Sequence, residues 1–409
     1  DFPTPPTLVT LTHNGRRVDA VAQASKQGML FVFDRVTGKP LFPIEERPVP
    51  QTDVPGEKTS PTQPFALLPA PFARQNLTED MLTKRTPEAH AAALAKFRTM
   101  RSDGPFAPFE LGRKTIVFPG FDGGAEWGGG AVDPANGIIY INANDVPSIG
   151  GLRENKADPN AGRGESLYNE QCAACHGEKR AGTPPDFPGL IDIGKRMSRE
   201  QIDAVIVGGK GRMPGFPQIA APDLALLTGF LLGNVPKPPA IPAGMSALFI
   251  KEGRELFGTK PTRYQFTGYE KFQDPQGYPA VEPPWGTLNA IDLNSGKYLW
   301  RIPLGEYPEL AAKGMRDTGT ENYGGPALTA SGLLFIGATV NDRKFRAFDS
   351  RNGRLLWETV LPYAGNATPV TYAIGGRQYV LIAASGGKDY KGPQGSAYVA
   401  FALPPGEKR

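Results

Sequence analysis

The sequence predicts a mainly β fold, a β-propeller of about four blades with a small all-α domain inserted among them. Three observations predict it. Gly (50) and Pro (42) are scattered through 409 residues that are still 40% hydrophobic, which marks a turn-dense chain of many short strands and not a low-complexity one. The phrase A-x-D-x-x-x-G-x-x-x-W occurs twice, at residues 290–300 and 347–357. Residues 161–236, by contrast, carry helix-start signals and no strand alternation.

The repeated phrase reads as a strand, a tight turn, and a second strand ending in Trp. In one copy Ala290, Asp292, Gly296 and Trp300 carry it, and in the other Ala347, Asp349, Gly353 and Trp357. Asn or Ser before the Gly supplies the left-handed turn that joins the strands. A weaker third copy runs over 32–42, with Asp34, Gly38 and Phe42 where Trp would stand. Companion hairpins follow the same grammar at 130–142, 327–339 and 368–384. Four short strands per unit with a recurring Gly/aromatic signature is the mark of propeller blades. The first part of the propeller is expected over 1–150, with a Pro-rich excursion at 47–112 that holds one helix after Thr86-Pro87. The second part is expected over 260–409. The helical insert over 161–236 should start helices near Gly164-Glu165, at Ser198 (Ser198 and Gln201 form a capping box) and after Pro222. Pro- and Gly-rich joins at 150–164 and 233–243 bound it.

Composition excludes several classes. A charge of +4, from 45 basic and 41 acidic residues, is too weak to argue for nucleic acid. The longest apolar run, 224–232, is far short of a membrane span and is broken by Thr228 and Gly229. No signal peptide heads the chain, so a mature or truncated product is expected. The only two Cys stand three positions apart, which rules out a disulfide scaffold.

Both of those Cys, and one of three His, fall in Cys172-Ala-Ala-Cys175-His176. In such a run the thiols can bond the haem vinyls while the imidazole ligates iron. A zinc half-site would lack its second ligand pair, and a redox dithiol would not need His176. Met213, in the rigid Gly/Pro loop around Met213-Pro214-Gly215, is the candidate second axial ligand, since a Met/His pair suits a one-electron carrier. The segment resembles a class I cytochrome c with covalent haem c, a family assembled outside the cytoplasm, which implies a periplasmic protein. His13, before the Asn14-Gly15 turn, is expected to be a solvated turn residue and His90 a helix-surface residue.

Outside 150–260 the chain resembles the quinoprotein dehydrogenases, eight-bladed propellers that use pyrroloquinoline quinone (PQQ), in their membrane glucose and quinate dehydrogenase branch. The strings that carry the resemblance lie at 24–35 (with Lys26 and Gly28), 46–51, 60–65, 126–129 (Glu-Trp-Gly-Gly) and 367–372 (Ala-Thr-Pro-Val-Thr-Tyr). The resemblance implies oxidation of the hydroxyl of a sugar, polyol or alcohol. Electrons would pass from PQQ to haem c and then to an external acceptor, a soluble cytochrome or a quinone. It makes Lys26 the cation that polarises the quinone carbonyl as charge develops. It places Trp127, Asn142 and Tyr323 around the quinone ring, although Trp127 could equally pack a blade. Lys388 stands where the glucose branch has a pocket His, which puts glucose as substrate in question. The family's general base, and the ligands of the calcium expected in a complete enzyme, are not in this sequence. About four blades of eight would be the C-terminal half, completed by an N-terminal half or a second chain. The helical insert falls between two strands of what reads as one blade. Two other classes stay open: a non-catalytic propeller with an electron-transfer module, and a PQQ-repeat scaffold, which would have no use for haem.

Overall fold

The computed structural model describes residues 1–154, 162–182, 187–211, 213–233, 263–387 and 392–403. They fall into two compact units, Asp1–Phe109 with Lys114–Ile149 and Lys271–Arg409, and Glu110–Arg113 with Gly150–Glu270.

The first unit holds four antiparallel sheets arranged as blades. Blade A is Thr7–His13, Arg16–Ala24 and Leu30–Asp34. Its first hairpin turns at Asn14 and Gly15, both at positive φ (50° and 74°), as a two-residue turn between right-twisted strands requires. The third copy of the repeat gives blade A no fourth strand. Only an isolated Phe33–Pro40 bridge forms, because Pro40 has no N–H to continue the ladder. Blade C is Ala327–Leu328, Leu333–Ile336, Lys344–Asp349 and Leu355–Val360, and blade D is Val370–Ile374, Arg377–Ala384 and Ala397–Phe401.

Blade B is assembled from distant parts of the chain: Gly130–Asp133 and Ile138–Asn144, then Gly286–Asp292 and Lys297–Pro303. Seven consecutive pairs, from Gly286–Asn144 to Asp292–Ile138, join its two middle strands. The connection between these neighbouring strands contains the helical segment. Six of the seven residues of Gly286–Asp292 are buried, whereas Lys297–Pro303 alternates exposed and half-buried, as the outer strand of a blade should.

The repeat's aromatic and Gly positions explain each other. Trp300 of blade B lies on Gly353 of blade C, where an added Cβ would come within 2.9 Å of the indole, and its Nε1 donates to the Ser350 carbonyl at 2.8 Å. Phe42 lies in the same way on Gly296 of blade B. Each aromatic therefore ties its blade to the turn of the next, and those turns hold φ near +70°, which only Gly adopts at no cost. In both full copies the second strand runs three residues beyond the Trp, to Pro303 and Val360. His13 is not a solvated turn residue: it stands edge-on to Phe42, with centroids 5.4 Å apart. Helix Pro87–Phe97 starts where expected, with the Thr86 hydroxyl accepting from the Ala89 N–H.

In the second unit, helices Arg163–Gln171, Ala173–His176, Arg199–Gly208 and Ala221–Leu231 enclose Leu167, Tyr168, Ile202, Ile206, Leu227 and Leu231. Ser198 and Gln201 close a reciprocal capping box. The last helix begins at Ala221, so Pro222 lies inside its first turn, where a missing N–H costs nothing. Strand Leu152–Glu154 pairs with Tyr264–Phe266, which brings the two ends of the segment together.

Candidate functional sites

The Cys172–His176 turn is one short helical turn. The N–H groups of Cys175 and His176 both donate to the Cys172 carbonyl, at 3.1 and 2.9 Å. No disulfide joins the two thiols. His176 is buried, with Nδ1 2.8 Å from the Pro188 carbonyl. A carbonyl can only accept, so Nδ1 carries the proton and Nε2 keeps its lone pair. Burial lowers the His176 pKa, and the Pro188 carbonyl opposes this only in part. Burial, with Cys175 beside it, pushes the Cys172 thiol up to about 12.

Met213 sits in a loop closed by a two-residue bridge to Lys210, with N–H to carbonyl distances of 3.0 and 3.1 Å. Gly209 and Gly215 permit that closure: a Cβ on either would fall 2.6 Å from the Met213 carbonyl or 2.5 Å from that of Val207. Met213 packs on the apolar cluster that contains Cys172. A neutral imidazole with a pinned tautomer, two thiols one turn apart and a thioether over an apolar cluster form a donor set that fits a c-type haem.

In the propeller unit, a Gly-rich loop over 120–129 organises a polar floor. At one end the Cβ of Gly123 would fall within 2.4–2.9 Å of Lys26 Cγ, Cβ and Cα, and the Gly124 N–H donates to the Lys26 carbonyl. At the other end Gly128 lies against Gly324 and Gly325, with no room for a side chain. Lys26 is one-third exposed and its Nζ is 3.1 Å from an Asp1 carboxylate oxygen. Trp127 projects from the same loop 52% exposed.

Asn142 is buried. Its Nδ2 donates to Asn322 Oδ1 (2.7 Å) and to the Gly324 carbonyl (3.0 Å), and its Oδ1 has no partner. Tyr323 is buried and donates its phenol to Asp122 at 2.7 Å. Burial first, then the Asp122 charge, raises its pKa well above the usual tyrosine range, so it stays a donor. Asp122 and Tyr323 also face a cavity of about 10 Å³, room for one water, which Asn144, Ser148 and the Lys271–Glu321 ion pair complete. The Lys26 ammonium, a donor, fits a carbonyl oxygen such as a quinone's, and the orphaned Asn142 oxygen, an acceptor, fits an N–H or O–H of the same ligand.

Sequence reasoning thus placed Lys26, Trp127, Asn142 and Tyr323 in one unit, and the 120–129 loop joins Lys26 and Trp127 to the glycines after Tyr323. Lys388 lies outside the described residues. Asp122, Asn322 and Asn366 were missed. The signal for Asp122 was available, a carboxylate inside Gly120-Phe-Asp122-Gly123-Gly124 directly before Glu126-Trp127. Among the described residues no group of three or more His, Cys, Asp or Glu converges on a metal site, and no helix is long and apolar enough to cross a membrane.

Comparison with known proteins gives two family matches. The PQQ family described as "Glucose/ethanol/alcohol dehydrogenase, beta-propeller domain" matches residues 1–186 and 247–380, and "Cytochrome C oxidase, cbb3-type, subunit III" matches 159–231. A glycerol dehydrogenase large subunit of Gluconobacter thailandicus is 29% identical over 400 residues, 96% of this chain and 44% of that one. The quinoprotein glucose dehydrogenase of Escherichia coli K12 is 30% identical over 411 residues, covering 99% and 41%. A quinate/shikimate dehydrogenase (quinone) of Acinetobacter baylyi is 28% identical over 412 residues, covering 98% and 40%. The chain spans less than half the length of these relatives.

Proposed function

The chain belongs to the glucose/ethanol/alcohol dehydrogenase family of PQQ β-propellers, and from that premise we propose that it serves a periplasmic quinohaemoprotein dehydrogenase. The enzyme oxidises the hydroxyl of a sugar, polyol or alcohol and delivers the electrons to an external acceptor. The observation that carries this reading is the splice in blade B. A Cys-x-x-Cys-His turn with its imidazole held neutral lies in the connection between two hydrogen-bonded strands of a quinoprotein blade, which supports a reading in which one chain carries both redox elements.

Lys26, Trp127, Asn142 and Tyr323 would hold the quinone, and Cys172, Cys175, His176 and Met213 the haem. When bound, a quinone of this class takes up a hydride and a c-type haem takes one electron at a time. The protein supplies the rest. Asp1 orients the Lys26 ammonium toward developing negative charge. The close approach of Gly128 to Gly324 and Gly325 keeps the floor flat. Pro188 fixes the His176 tautomer.

The test uses the complete, haem-bearing enzyme loaded with PQQ and offered glycerol, glucose, quinate and short alcohols, with the haem absorbance followed. Reduction by at least one hydroxyl compound, dependent on PQQ, is expected. A haem that dithionite reduces but no hydroxyl compound does, with PQQ present, would leave only an electron-transfer module.

A further inference from the structure

The ladder of Leu152–Glu154 and Tyr264–Phe266 belongs to the helical unit but lies outside the cytochrome stretch at 159–231. It does more than close the segment. The Thr267 N–H extends it by donating to the Gly151 carbonyl at 2.9 Å, and the chain then runs onto the Cys172–His176 turn. Gly268, at φ +103°, lies so close to that turn that a Cβ would fall 2.7 Å from the Ala174 carbonyl. Arg153 joins from the other strand. It donates to Gln265 Oε1 at 2.6 Å and pairs with Glu178, two residues after His176.

The next residue, Tyr269, meets the loop on the other side of His176. Its ring stacks on Phe187, with centroids 5.5 Å apart and planes at 27°, and Phe266 of the ladder stands edge-on to it at 5.0 Å. Phe187 directly precedes Pro188, whose carbonyl accepts from His176 Nδ1. After Pro188 the loop is pinned by hydrogen bonds: the Leu190 N–H donates to the Arg180 carbonyl at 2.7 Å, and the Arg196 guanidinium donates to the Gly189 carbonyl at 2.6 Å. Before Pro188, the Phe187–Tyr269 stack ties the loop to the ladder. The ring of Pro188 locks its φ, so a shift of Phe187 is passed on to the Pro188 carbonyl and not absorbed.

We propose that Tyr269 is a positioning residue for the haem: by stacking on Phe187 it holds the Pro188 carbonyl on His176 and so lowers the haem's reduction potential. The inference rests on the haem reading above. An axial imidazole whose Nδ1–H is hydrogen-bonded is a more basic ligand, and a more basic ligand favours ferric over ferrous iron. The strand that leads out of the helical unit thereby takes part in setting the potential of the carrier inside it.

The test uses the complete, haem-bearing enzyme free of PQQ and compares Tyr269→Ala and Tyr269→Phe with the wild type. Two quantities are read: the midpoint potential of the haem by redox titration, and the solvent-exchange rate of the His176 Nδ1 proton in the ferrous protein by NMR. Tyr269→Ala is expected to raise the potential and to speed exchange about fivefold, the change that losing one such hydrogen bond gives. Tyr269→Phe, which keeps the ring, is expected to leave both at the wild-type values. An unchanged potential or an unchanged exchange rate in Tyr269→Ala overturns the assignment. A lowered potential overturns it in favour of a ring that only keeps water from the haem, and a Tyr269→Phe variant that behaves like Tyr269→Ala overturns it in favour of a role for the phenol. If Tyr269→Ala takes up no haem, Phe187→Leu, which removes the stack from the other side, decides by the same two readings. A wild type without covalent haem would instead remove the haem reading.

Discussion

Asn322 holds blade B to blade C, and Asn322→Ala measures what that clasp contributes. The side chain is fully buried and makes three hydrogen bonds: Asn142 Nδ2 donates to its Oδ1 at 2.7 Å, and its Nδ2 donates to the Ala143 and Thr320 carbonyls at 3.0 Å each. Each bond contributes about 1 kcal/mol net, and a buried group left without its partner costs about 1–3 kcal/mol more. The truncation should therefore cost about 4–6 kcal/mol. For a unit of this size each kcal/mol moves the midpoint by roughly 2–4 °C, so far-UV circular dichroism should show melting about 10 °C lower. Asn366→Leu, which removes an amide with no bonds to lose, should change stability by less than about 1 kcal/mol. If Asn322→Ala melts within about 2 °C of the wild type, or if Asn366→Leu is destabilised as much, the account of these two amides is wrong.

Other predictions follow from single features. In the complete enzyme, Lys26→Ala should slow substrate-driven haem reduction by about 10²–10³-fold, the usual cost of removing a group that stabilises developing charge, while dithionite still reduces the haem fully; wild-type turnover would refute the assignment. Replacing Cys172 and Cys175 together by Ala should leave a denatured polypeptide whose intact mass contains no haem, whereas the parent should be heavier than its own polypeptide by one haem. Ser198→Ala removes one half of the capping box and should cost about 1 kcal/mol, read from the melting of the haem absorbance. The Arg351 guanidinium, with the Arg351 N–H, holds Asp349 down from 3.8 to about 2. A lowered carboxylate pKa contributes stability that is present above about pH 4 and is lost as the pH falls toward 2, so Asp349→Asn should flatten the dependence of melting temperature on pH in that window.

What the sequence made legible is what local chemistry encodes. The A-x-D-x-x-x-G-x-x-x-W phrase carries its own turn residues, so both full copies fold as hairpins, and Cys172, Cys175 and His176 need only one helical turn to converge. The third copy misled because a single Pro40 ends the ladder while Asp34, Gly38 and Phe42 still match the pattern. The polar floor was only half visible. Lys26 and Trp127 sit in recognisable strings, but Asn322 acts through Asn142, 180 positions away, and no periodicity marks such a partner. Asp122 gains its meaning from Tyr323, 201 positions on. His13 was misread because the turn at Asn14 and Gly15 is local, whereas the ring of Phe42 that covers it is not.

The route of the chain through blade B bears on how the protein is made. Asn144 and Gly286 are nearest neighbours in the sheet but about 140 residues apart in sequence, and contacts of that separation form late. During synthesis the ribosome releases strand Ile138–Asn144, then the whole helical segment, and only afterwards the strand that must seal against the first. The helical segment can therefore reach its own structure while the blade is still open. The pairing of Leu152–Glu154 with Tyr264–Phe266 then shortens the effective loop, so the late closure pays the entropy of a short link and not that of the full span. Excising the helical segment at that pair and bridging the cut with a Gly-rich turn should speed blade closure in refolding experiments.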